Sequence, residues 1–203
     1  MKRISNIRGS ATALYLCALL LLSSLLIISV DFAGAWFLRN SFVNDLAAMK
    51  VALESPHNSL LIKNADYGQP QIVDTVVADL RKRGFEGEIR VWCLEEDLQG
   101  QDDKRILSWC VQISDDYHPA LFSKFGDSAI VVGADIYGSF MAFSHKNTYT
   151  PTAPNSASGI YRIAKNSTFA KFTHIKSENS NEYPPTLLQS YKDAKEIFLT
   201  KEE

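Results

Sequence analysis

The chain has 203 residues, 46% of them hydrophobic, 22% charged and 11% aromatic, with 21 Lys and Arg against 23 Asp and Glu. That length leaves one domain of about 150 residues beside an N-terminal appendage, and it excludes a large multidomain enzyme or a polytopic carrier. A formal charge of -2 supplies no cation excess to displace phosphate counterions, which argues against a nucleic-acid partner, and the aromatic content excludes disorder over most of the chain.

A mean hydropathy of -0.09 conceals one apolar block. Residues 11–30, ATALYLCALLLLSSLLIISV, form a run of 20 without a charge, matching the ~20 residues a helix needs to cross about 30 Å of hydrocarbon. Lys2, Arg3 and Arg8 precede the run, Asp31 follows it, and Arg39 is the only early basic residue beyond. Positive charge is retained on the cytoplasmic side, so the chain reads as a basic leader over residues 1–10, a span over 11–30, and a C-terminal part outside the cytoplasm. Without those three cations the chain carries 18 basic against 23 acidic residues, a formal charge of -5.

A cleaved secretory signal is the rival reading, because Ala33-Gly34-Ala35 has a small-x-small form. Secretory cores usually run ~7–15 residues, and the charged Asp31 lies between the apolar block and that site. Leu14-Tyr15-Leu16 before Cys17 does not make a lipobox. Asp31 either marks the headgroup level or offers a carboxylate to a partner, and Trp36 and Phe37 suit the interfacial aromatic belt.

Beyond the block, Leu38, Phe42, Leu46, Met49 and Leu53 recur at spacings of three and four, so the helix continues as a stalk over residues 31–55 until Pro56. A helix from 11 to 55 spans about 65 Å. Its narrow apolar stripe packs either on its own domain or on a neighbouring helix. Residues 56–203 form the extracytoplasmic domain. Residues 56–69 read as a connection. A second helix opens near Pro70, buries Ile72, Val73, Val76, Val77 and Leu80, carries Arg81, Lys82 and Arg83 in its last turn, and ends before Gly84.

Three strands are expected at 88–95, 106–114 and 129–143, the last interrupted by Gly133 and Gly138. Residues 148–159, TYTPTAPNSASG, read as a loop. Weaker strands follow at 160–164 and 168–175. Pro184-Pro185 precedes a last helix with Leu187, Leu188, Tyr191, Ala194, Ile197 and Phe198 as its stripe. The fold class is α+β, with a helix packed on an antiparallel sheet of three or more strands and a C-terminal helix.

Cys93 and Cys110 are the two cysteines outside the span. If the first two strands turn between Gln101 and Asp102, residues whose numbers sum to 203 face each other. Cys93 then opposes Cys110, Trp92 opposes Val111 and Leu94 opposes Trp109. The pair is a disulfide candidate, the alternative being two buried thiols acting as small hydrophobes.

Little else suggests chemistry. His57, His118, His145 and His174 lack metal-ligand spacing, so no metal is expected. Glu95-Glu96-Asp97, Asp102-Asp103 and Asp115-Asp116 are acidic clusters that suit solvated loops better than a calcium site. No nucleophile elbow, Walker or dinucleotide fingerprint occurs, so no catalytic residue, cofactor or small-molecule substrate is expected. Asn166-Ser167-Thr168 has the form of a glycosylation acceptor.

The order of elements resembles the TadE-like minor pseudopilins of tight-adherence (Flp) pilus systems. The likeness rests on Arg8-Gly9-Ser10, the apolar block, Val30-Asp31-Phe32-Ala33 and Asn44-Asp45-Leu46-Ala47-Ala48. It extends to WCVQISDDYHPALFSKF followed by SAIVVGADIYGSFMAF, and covers roughly residues 1–145. The resemblance implies a non-catalytic pilus-assembly or secretion component. Its partners would be the lipid bilayer and other pseudopilin-like or secretion-apparatus subunits.

It also implies Gly9 and Ser10 as a processing site. Cleavage there would place Leu14 fifth, where processed prepilins carry a Glu, and Tyr15 sixth. A carboxylate at the fifth position pairs with a neighbour's terminal amine inside the filament. The chain therefore reads as an uncleaved anchor, or as a subunit of the tip or base, and the TadG-type relatives fit as well. The alternative is an extracytoplasmic binding or adhesion module on an unrelated signal anchor, its ligand surface in residues 145–180.

Overall fold

One helix dominates the first quarter of the chain. The computed structural model describes residues 3–65, 68–97, 104–119, 129–143, 158–175 and 181–200. Helix α1, Arg3–Leu53, is continuous for 51 residues, about 76 Å at 1.5 Å per residue. It is long and apolar enough to cross a membrane, and none of its most apolar window is buried. Gly9 and Ser10 lie within α1. Contacts divide the chain into two units, Met1–Asn40 with Asp116–Val132, and Ser41–Asp115 with Gly133–Glu203.

In the second unit Phe42, Leu46, Met49 and Leu53 are all buried, so the end of the stalk stripe packs on its own domain. The Phe42 ring meets the Phe85 ring edge-on, with centroids 5.3 Å apart.

Where the sequence reads as a connection, Pro56 instead opens a further helix, α2, Pro56–Asn64. A proline lacks an N–H but has the φ of a first helical turn, so the same residue stops one helix and starts the next. The Asn58 side-chain amide donates to the Ala52 carbonyl at 2.8 Å, adding to the bond that this oxygen accepts from the Ser55 N–H at 3.3 Å.

Helix α3, Gly68–Lys82, buries Ile72, Val73, Val76, Val77 and Leu80, as its period predicts. It ends where Gly84 takes φ 86°. The Gly84 N–H donates to Arg81 O at 3.0 Å and the Phe85 N–H to Leu80 O at 3.1 Å. That pair of bonds is a Schellman cap, which needs the left-handed conformation glycine adopts freely.

Strands β1, Glu88–Asp97, β2, Lys104–Tyr117, β3, Ile130–Phe143, β4, Gly159–Ile163, and β5, Ala170–His174, form one antiparallel sheet in the order β3-β2-β1-β4-β5. Strand β4 returns to lie beside β1, which is a Greek-key arrangement. Helix α4, Pro185–Thr200, completes the described residues. The loop expected at 148–159 lies outside the described residues up to 157.

The hairpin register differs by one residue from the expected one. Trp92 pairs with Cys110 and Cys93 with Trp109. Because strand side chains alternate faces, that offset places the two thiols on opposite sides of the sheet. Both cysteines are free and buried, so the disulfide expected between Cys93 and Cys110 is not formed.

Cys93 belongs to the face with Ile89, Val91, Trp109 and Val111, all buried, which α3 covers. Cys110 belongs to the other face, in a cluster with Ile160, Ile175, Tyr183 and Leu187, which α4 covers. Gly138 allows the Trp109 ring to lie over β3, since a Cβ there would sit 2.6 Å from Trp109 Cζ2.

Candidate functional site

The first unit contains the boundary region of α1. Asp31 is 4% exposed, although its helix neighbours Val30 and Phe32 are 49% and 74% exposed. Its carboxylate therefore turns to its own chain, at the point where the sequence suggests either a headgroup marker or a partner contact. Gly34 is one helical turn further along the same face. A Cβ on Gly34 would overlap the Tyr117 hydroxyl and lie 2.7 Å from Tyr117 Cζ. Gly34, whose neighbours make it look like part of a peptidase site, thus has a packing role in the folded chain. Trp36 and Phe37 remain exposed and touch edge-on, 5.5 Å between centroids.

In the second unit the polar residues hold elements together. Glu95 and Arg105 are buried and paired at 2.9 Å between Glu95 Oε1 and Arg105 Nη1. Gln69, fully buried in the first turn of α3, donates to Glu95 Oε2 at 2.8 Å, and Arg105 also donates to the Ala65 carbonyl. The Tyr161 hydroxyl lies 3.5 Å from Gln69 Oε1. The network ties the α2–α3 corner to β1 and β2. A buried pair is costly to desolvate, and its return is the unique placement of the groups that satisfy it.

Glu96, one residue on, points to the other face. It accepts from the Tyr191 hydroxyl and lies 3.3 Å from Lys195 Nζ, so adjacent carboxylates fasten helices on opposite sides of the sheet. Burial is the largest influence raising the Tyr191 hydroxyl's pKa, whereas its hydrogen bond with Tyr191 chiefly raises that of Lys195. Ser108, Ser139 and Ser190 form a hydroxyl chain, at 2.7 Å and 3.0 Å, from β2 through β3 to α4.

Arg81 binds four carbonyls. Its guanidinium donates to Phe85 O at 2.6 Å, Gly87 O at 3.0 Å, Ala164 O at 3.0 Å and Ser167 O at 2.9 Å. The β4–β5 turn is thereby joined to the end of α3.

Other candidates do not converge. His57, His118 and His174 are exposed and scattered, and His145 lies outside the described residues. Asp115 pairs with Lys165 at 2.8 Å, and Asp102-Asp103 lie outside the described residues. Among the described residues no three His, Cys, Asp or Glu are grouped to hold a metal ion. Burial pushes the Cys110 thiol up to about 12 and the Cys93 thiol higher still, which disfavours the nucleophilic thiolate.

Sequence reasoning missed the Glu95–Arg105 network, though a signal existed. Glu95 falls in the inward phase of Ile89, Val91 and Cys93, and Arg105 in that of Leu107, Trp109 and Val111. Opposite charges on inward phases of adjacent strands predict a buried pair. Arg81 left no such signal, because a cation in the last turn of a helix already has a reason to be there.

No family model, curated protein or solved structure matches this chain. What the fold defines is an α+β protein with one long apolar N-terminal helix and a five-stranded antiparallel sheet.

Proposed function

We propose that this chain is a non-catalytic, membrane-anchored, minor pseudopilin-like component of a tight-adherence (Flp-type) pilus or related secretion assembly. Its N-terminus is cytoplasmic and its sheet domain extracytoplasmic. The observation that carries the reading is α1 itself. A single 51-residue helix presents exposed apolar side chains over residues 11–30 and then buries Phe42, Leu46, Met49 and Leu53 in the sheet domain. The apolar span and the stripe that enters the sheet domain thus belong to one continuous helix, which supports an anchored subunit. The polar networks support the same reading, because Glu95, Glu96, Arg81 and Ser139 are engaged in joining elements.

The test is capture from native membranes after cross-linking. Recovery of pseudopilin-like subunits and a secretion platform protein, encoded beside a secretion ATPase and a prepilin peptidase, is the expected result. Recovery with none of these, from a gene without such neighbours, overturns the reading. Mass spectrometry of the mature N-terminus tests the anchor: a start at Ser10 or Trp36 contradicts an uncleaved helix.

A further inference from the structure

Around the end of the apolar block, one stripe of α1 is less exposed than the positions beside it. Ile27, Asp31, Gly34, Ala35 and Leu38 are half-buried or buried, whereas Ile28, Val30, Phe32, Trp36 and Phe37 are exposed. Residues at these spacings share one helix face. The apolar block ends at Val30, so the covered stripe straddles that end, with Ile27 about 4.5 Å inside it and Gly34 about 6 Å beyond. A headgroup layer is about 5–7 Å deep. The stripe is therefore covered at the edge of the hydrocarbon. The segment that shares a unit with this part of α1 is Asp116–Val132, and its Tyr117 fills the notch that Gly34 leaves.

Strand β3 begins beside Tyr117. A Cβ on Gly133 would lie 3.1 Å from Ile113 O and 3.5 Å from Ser114 Cβ, so residue 133 runs beside 113 and 114, and in an antiparallel pair residue 130 then runs beside 116 and 117. Neighbouring strands are about 4.8 Å apart, which sets Ile130 about one strand spacing from the residue that touches α1.

The start of β3 is apolar and bare. Ala129 is exposed, Ile130 is 48% exposed and Val131 is 71% exposed. Three consecutive exposed apolar residues are a liability against water, and they mark a surface with another partner. Asp116 and His118, which alternate with Tyr117 along the chain, are exposed and polar, as suits a segment at the level of headgroups.

We infer that the start of β3, Ala129 to Val131, is a second membrane contact, lying with Tyr117 in the boundary between headgroups and acyl chains beside α1. Apolar side chains held at such a boundary enter it by about 5–10 Å. Tyr117 has an apolar ring and a polar hydroxyl, so it suits the same belt as Trp36 and Phe37. The inference rests on the membrane-anchor part of the proposed function, and all its residues lie in the first unit. Its consequence is orientation. A lone spanning helix is free to turn about its own axis, whereas one with an interfacial segment on a single face keeps that face, Ile27 to Leu38, toward protein.

The experiment uses the full chain in phosphatidylcholine vesicles, with a nitroxide on one introduced cysteine, Val131→Cys or Leu21→Cys, in a Cys17→Ala background. Collisions of the nitroxide with oxygen, which dissolves in hydrocarbon, are compared with collisions with nickel(II) ethylenediaminediacetate, which stays in water. The Cys17→Ala chain without either change gives the background from the buried Cys93 and Cys110. The expected result at 131, as at 21, is access to oxygen with loss of access to nickel. A label at 131 open to nickel overturns the inference. So does one shielded from both, because protein, a second copy of the chain included, then covers the site. An unchanged thermal midpoint shows that Val131→Cys folds, and Ile130→Cys repeats the measurement if it does not. The label at 21 separates the two readings: nickel access there refutes the anchor, whereas oxygen access at 21 with nickel access at 131 refutes only the second contact.

Discussion

The Tyr117 hydroxyl occupies the space into which a side chain at Gly34 would grow. A glycine within a helix ordinarily costs about 1 kcal/mol relative to alanine. Here the absent Cβ admits a residue from the end of β2. Gly34→Ala alone is therefore expected to forfeit the gain that helix propensity would give. In a Tyr117→Ala background the same change is expected to stabilise by up to about 1 kcal/mol. Thermal unfolding of the four chains in detergent measures the coupling, and equal effects of Gly34→Ala in both backgrounds contradict the packing role.

Cys93 and Cys110 should behave as inert thiols. Both are buried on opposite faces and their ionisation is disfavoured. Iodoacetamide is expected to leave them unmodified in the folded chain and to alkylate both after unfolding, whether or not reductant is present. A need for reductant before alkylation would show a disulfide and refute the register.

Alkaline pH should destabilise the domain. Burial raises Cys110 from 9.0 to about 12 and Tyr161 and Tyr183 from 10.0 to about 12, and it raises Cys93 as well. The folded state keeps these protons where the unfolded chain releases them. Their contribution is complete below pH 9 and is lost as pH rises toward about 12. Urea midpoints should fall above pH 9, and less steeply in Cys110→Ala; a midpoint flat between pH 8 and 11 contradicts the burial.

Breaking the Glu95–Arg105 pair should cost more than replacing it. Arg105→Ala leaves a carboxylate buried beside Gln69 and is expected to cost about 3–5 kcal/mol, whereas Glu95→Leu with Arg105→Met is expected to be near neutral. Denaturant unfolding decides it. Single and double variants with the same loss would show that packing volume, rather than charge, is at stake.

Arg81→Lys should also be destabilising, although charge is kept. A lysine has one ammonium and cannot reach carbonyls on both the α3 end and the β4–β5 turn. The expected loss is about 2 kcal/mol, with faster amide exchange at Asn166 and Ser167. Unchanged exchange there would show that the turn is held by other contacts.

Much of the element pattern was legible because it depends on local period. Ile72 to Leu80 repeat at helical spacing up to Gly84, and the structure ends α3 within that turn. The strands expected at 88–95, 106–114 and 129–143 match β1 to β3 within three residues at each end. Pro56 was legible as a helix stop but not as the start of α2, because a proline suits both. Of the candidate residues, Asp31 was visible as a charge at the edge of an apolar run, while its burial was not.

What the sequence determines by itself is the 20-residue apolar block, the helical and strand periods, and the α+β order. These follow from chain chemistry over a few residues. The tertiary structure decides which residues meet. A period of two is satisfied equally by registers one residue apart, yet only one of them sends Cys93 and Cys110 to opposite faces. Likewise nothing near Gly34 in the chain announces Tyr117, because that contact joins segments that local periodicity cannot bring together.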